Sequence, residues 1–75
     1  MQGKMAFDYS KFRGRIVERY GTLTQFGKAM HISQPVLSSR MTGLTYFTQS
    51  EILRAIALLD IEPESISPYF FTLKV

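Results

Sequence analysis

The sequence predicts an all-α protein, a single compact domain of four to five helices. Three observations predict it. Apolar residues recur at intervals of three and four along four successive segments, the spacing of one helix face. Each segment opens at a Ser, Thr or Asp that can cap it, and two of the breaks fall on Gly21 and Gly43. The 75 residues suit one domain and not two, with roughly 60–65% of the unfolded surface hidden on folding.

The first helix is expected from about Tyr9 to Tyr20. Tyr9, Phe12, Ile16, Val17 and Tyr20 share one face, with Asp8 as cap and Gly21 as the left-handed stop. The second opens with Thr22-Leu23-Thr24-Gln25, a capping-box pattern, and runs through Phe26, Ala29 and Met30 to a stop near His31-Ile32. Two turns are too short to stand without packing partners. The third opens at Ser33, with Pro35 in the first turn where a missing N–H costs nothing. Val36, Leu37 and Met41 line one side of it, and Pro35, Ser38, Ser39 and Thr42 the other. Arg40 falls angularly on the buried side, its stem expected to run past Met41. The fourth begins with the capping box Thr48-Gln49-Ser50-Glu51 and carries Ile52, Leu53, Ala55, Ile56, Ala57 and Leu59. One short turn after Pro63 is expected. Beyond Pro68 the tail Tyr69-Phe70-Phe71-Thr72-Leu73-Lys74-Val75 is too aromatic for water, so it closes the core or meets a partner. Residues 1–75 thus read as one domain, with 1–6 disordered and 68–75 an aromatic tail.

Composition excludes several function classes. There is no cysteine and one histidine, His31, so disulfides and thiolate metal sites are ruled out and no cofactor is expected. His31 reads as a turn residue, Glu51 as the capping partner of Thr48, and Asp60, Glu62 and Glu64 as solvated surface without metal-loop spacing. No Gly-rich phosphate loop, nucleophile elbow or carboxylate pair is present, so the protein does not read as an enzyme. No apolar run approaches the ~18–20 residues that span a bilayer, and Met1 to Phe7 do not read as a signal peptide. The expected location is the cytoplasm. The net charge of +3 is unevenly spread. Residues 22–47 carry Lys28 and Arg40 and no acid, whereas 48–75 carry Glu51, Asp60, Glu62 and Glu64 against Arg54 and Lys74. Such asymmetry suits a polyanion on one side.

The second and third helices with the turn Met30-His31-Ile32-Ser33 have the order of a DNA-reading helix-turn-helix. The outward side of the third is short, polar and almost uncharged, and its serines give up helix propensity for that surface. The run from Leu23 to Gly43 resembles the helix-turn-helix of phage repressors of the lambda Cro/repressor superfamily. The flanks Tyr9 to Val17, Phe47 to Ile52 and Tyr69 to Phe71 are similar to short regulators from temperate phages of Gram-positive bacteria. This resemblance implies a five-helix lambda-repressor-like DNA-binding domain without the C-terminal oligomerisation domain of full-length repressors. By position it implies that Ser33, Gln34, Pro35, Ser38 and Ser39 lie on the major groove. Gln34 is the best base reader, since its amide can pair with adenine N6 and N7. Thr22, Thr24, Lys28, Thr42, Thr45 and Tyr46 fall where relatives touch phosphate or sugar.

The sequence departs from the family's pattern at Leu23, where a phosphate-contacting glutamine is usual. Gly27 replaces an alanine at the helix crossing, and His31 replaces a turn glycine and needs positive φ. Ile16 and Met41 occupy positions that hold a buried ion pair in some relatives. Two functions follow. The first is a Cro-like transcriptional regulator that occupies double-stranded operator DNA and sets a genetic switch. The second is an anti-repressor or modulator of the same fold, which binds the phage's main repressor. A weak homodimer is a further expectation for either.

Overall fold

The computed structural model describes residues 7–73, so the disorder expected for 1–6 and the last two residues of the tail lie outside the described residues. Among these residues five α-helices follow in order: α1 (Ser10–Tyr20), α2 (Leu23–Met30), α3 (Gln34–Thr42), α4 (Gln49–Leu58) and α5 (Ile66–Phe70). A 3-10 turn, Pro63–Ser65, leads into α5. The all-α expectation holds, and the described residues contain no strand beyond one isolated bridge, Phe7 to Leu73.

Capping sets the helix ends. At α1 the N-cap is Tyr9 and not the expected Asp8, and its side chain makes no cap bond. From one residue earlier Asp8 Oδ1 accepts the Ser10 backbone N–H at 2.9 Å and the Ser10 hydroxyl at 2.6 Å, and Gly21 stops the helix at φ +82°. The Thr22 hydroxyl accepts the Gln25 N–H, and Ser33 accepts that of Val36. At α4 the capping box closes both ways: Thr48 Oγ1 accepts from Glu51 N, and Glu51 Oε1 accepts from Thr48 N. His31 ends α2 at φ +61°, the left-handed conformation the sequence demands of it. Arginines cap from across the fold. Arg15 Nε donates to the Leu59 carbonyl at 2.9 Å, and Arg54 Nη1 to that of Met30 at 2.8 Å, placing cations at the carbonyl ends of α4 and α2.

The core gathers Phe12, Ile16, Phe26, Met30, Leu37, Ala55, Leu59 and Phe70, all essentially inaccessible to solvent, with Tyr9, Met41, Phe47 and Ile61 around them. Phe12 is its hub. Its ring lies 4.6 Å from Phe70, 5.5 Å from Phe47 and 5.9 Å from Phe26, the last two edge-on as aromatic quadrupoles prefer. Val17, expected on the buried face, is 52% exposed. It sits about 100° round the helix from Ile16, and α1 packs on α2 and α5 with the Ile16 side. Leu53 on α4 is exposed for the same reason, while Ala55 and Leu59 go inward.

The C-terminal segment differs from its reading by residue periodicity. The turn after Pro63 and the tail beyond Pro68 are one continuous element, because Pro68 sits in the first turn of α5, where its missing N–H is not needed. Phe70 thereby enters the core, Asp8 N donates to the Thr72 carbonyl at 2.7 Å, and the two described ends of the chain meet. The tail closes the core through Phe70 and leaves Phe71 and Leu73 about half exposed.

Candidate functional site

Ser33 caps α3, and Gln34 and Pro35 occupy its first two positions. Intervals of three and four then bring Gln34, Pro35, Ser38 and Thr42 to one exposed face. Ser39 lies beside this face and is half-buried. Its carbonyl accepts from Leu44 N at 3.0 Å and Thr45 N at 3.3 Å, so Ser39 anchors the loop that leaves α3. On α2, Thr24 and Lys28 are exposed, and Thr22 is committed as the cap.

The residues expected to touch phosphate are not equivalent. The Thr42 hydroxyl donates to the Ser38 carbonyl at 2.9 Å and approaches that of Ser39 at 3.3 Å, so its proton points into the helix and not toward an anion. Thr45 Oγ1 accepts from Arg40 Nη1 at 2.7 Å and keeps its own proton to donate. Tyr46 turns to the aromatic cluster, where its ring meets Phe7 edge-on at 6.0 Å. It lines an apolar cavity of about 260 Å³ with Phe7, Tyr9, Phe47, Ile52, Phe70 and Phe71. Burial, and then the neighbouring Tyr46, raise the Tyr9 phenol above its usual range.

Arg40 is where sequence reasoning fell short. Its stem does run on the buried side of α3, but the guanidinium grips Glu51 with both prongs, Nε–Oε1 at 2.8 Å and Nη2–Oε2 at 3.1 Å. Glu51 is therefore both capping-box partner of Thr48 and ion-pair partner of Arg40, and the hydrogen bond from Arg40 holds its carboxyl below the usual glutamate range. The same bond raises the Arg40 guanidinium. The signal available in sequence was two charges flanking one loop, each on the inward side of its helix.

This pairing changes the electrostatics of the α2–α3 unit. Arg40 faces Glu51, and the nearby Arg54 caps α2. Among the described residues 22–47, Lys28 is the one cation without an internal acceptor. On α1, Arg15 is tied to the end of α4 and to Glu18, and Lys11 stands 4.9 Å over the Tyr69 ring. Within the described residues no group of three or more histidines or acids could hold a metal ion, and no helix is long and apolar enough to cross a membrane.

The family described as "Protein of unknown function (DUF739)" matches residues 5–73. Among solved structures, the chain is similar to the modulator of repression (MOR) of the temperate bacteriophage TP901-1 from Lactococcus lactis. The two are 36% identical with a TM-score of 0.79, over 89% of this chain and 90% of the other. No curated protein sequence matches.

Proposed function

This chain belongs to the DUF739 family, and we propose from that premise that it is a phage regulator which acts by binding the main repressor of its phage. The observation that carries this reading is the scarcity of free cations on the α2–α3 unit. Arg40 is neutralised by Glu51, which leaves Lys28. A duplex binder draws its affinity largely from phosphate neutralisation, and one making six to ten phosphate contacts shows a log–log salt slope of roughly −5 to −9. One free lysine and a few hydroxyls support a slope nearer −1. A face of Gln34, Pro35, Ser38 and Thr42, uncharged and short, suits close apposition to another protein surface. The likeness to a modulator of repression agrees with this role.

Operator binding is the second reading, favoured by the exposed polar face that α3 presents. One titration set decides between the two. The full chain is titrated, over a salt series, against switch-region DNA of its phage and against the purified repressor. The expected result is a stable complex with the repressor and weak, sequence-indifferent DNA binding with a shallow slope. Tight, sequence-specific DNA binding that weakens steeply with salt, and that Gln34→Ala relaxes at one adenine by about 1–3 kcal/mol, would replace this reading with the Cro-like one.

A further inference from the structure

Resting on the reading that the α2–α3 unit binds the repressor, we propose that Gly27 is a positioning residue: it parks the Gln34 amide against α2 and so helps set which partner the α3 face accepts. Gly27 is buried in the middle of α2, where glycine weakens a helix that is already short. Backbone conformation does not require it, since the positive-φ glycines of the described chain are Gly21 and Gly43. Space does. A Cβ at position 27 would stand 2.6 Å from Gln34 Nε2, closer than real carbon atoms approach, 3.4 Å from Leu37 Cδ2 and 3.6 Å from the Ile32 carbonyl. At Gly14 a Cβ would meet nothing within 4 Å, so crowding is particular to the notch at Gly27.

The notch is filled by the tip of Gln34. This residue opens α3 and is exposed as a whole, yet its amide leans back over α2. A glutamine reads adenine by presenting its amide oxygen and nitrogen together to the base edge. Parked on Gly27, the amide is withdrawn from that task, and the leading end of α3 stays low for a protein partner. A methyl group at position 27 displaces the amide and little else. Gln34 Nε2 is the free end of a flexible side chain, whereas Leu37 and the Ile32 carbonyl are at or near ordinary contact distance.

The test uses the full chain and four sequences: wild type, Gly27→Ala, Gln34→Ala and the double variant. In the wild type, nuclear Overhauser contacts should join the Gln34 side-chain amide protons to the Gly27 Hα protons. Gly27→Ala should keep or raise the melting temperature, since alanine favours helix. It should also weaken binding to the purified repressor about tenfold and strengthen binding to an operator duplex. Both effects should vanish in the Gln34→Ala background, because the methyl acts through the amide. Absence of the contacts in the wild type overturns the inference, as does an equal effect of Gly27→Ala in both backgrounds. If the wild type binds no repressor, the proposed function fails by itself. The amide contacts and the Gln34-dependent gain in DNA binding then still decide the role of Gly27.

Discussion

Glu51 carries two duties on one carboxylate, and their separation is measurable. It accepts the Thr48 N–H as the capping-box partner of that residue and both prongs of Arg40 from α3. Its folded-state pKa lies below the ordinary glutamate range, chiefly because of the Arg40 hydrogen bond. A carboxyl depressed on folding contributes stability that is fully present above its ordinary unfolded value and is lost as pH falls through the lower folded value. Glu51→Gln keeps a group able to complete a capping box but removes the charge. We expect it to cost about 1.5–3 kcal/mol at neutral pH, the range of a charge-assisted hydrogen bond. We also expect it to flatten the acid limb of stability below about pH 5. Urea denaturation of both proteins from pH 3 to 7 checks this, and parallel acid limbs would count against the pairing.

At the scale of elements, α5 shows how a segment with little helical merit becomes a helix. Ile66–Phe70 is five residues long with Pro68 in its first turn, too short for a nucleus of its own. Packing supplies what propensity lacks: Phe70 lies between Phe12 and Phe47, at 4.6 and 5.7 Å. Phe70→Ala should therefore cost about 3–5 kcal/mol, the usual toll of emptying a buried aromatic site. Ending the chain after Ser67 should cost at least as much and expose the rings of Phe12 and Phe47. Thermal melting and light scattering read both effects. A truncated protein that melts unchanged and stays monodisperse would contradict the packing of α5.

For the molecule as a whole, every helix contributes to one contiguous cluster, and Phe12, Phe26, Phe47 and Phe70 interlock within it. A domain with one core and no independent subunit of packing should unfold in a single step. Near-ultraviolet dichroism, which reports the rings, and far-ultraviolet dichroism, which reports the helices, should give one superimposable transition. Calorimetric and van't Hoff enthalpies should agree near roughly 50 kcal/mol, on the usual per-residue value. Early loss of the near-ultraviolet signal would mean that the aromatic cluster and the helices melt apart.

Helices α1 to α4 are legible in the chain's local pattern, because caps and apolar period act over three or four residues and need no knowledge of distant chain. Thr48-Gln49-Ser50-Glu51 closes as a box, His31 takes positive φ, and Leu37 and Met41 point inward, all by local rules. The serine and glutamine face of α3 is legible for the same reason. Three features arise only when distant elements pack together. Phe70 makes α5 by finding Phe12 some sixty residues away. Arg40 meets Glu51 only once α3 and α4 are folded around their loop, and that pairing reduces the free positive charge of the unit. The Gln34 amide settles on Gly27 only when α2 and α3 cross. Each depends on a distance through space between residues on different elements, and periodicity along one helix fixes directions from its axis but not what stands at the end of them.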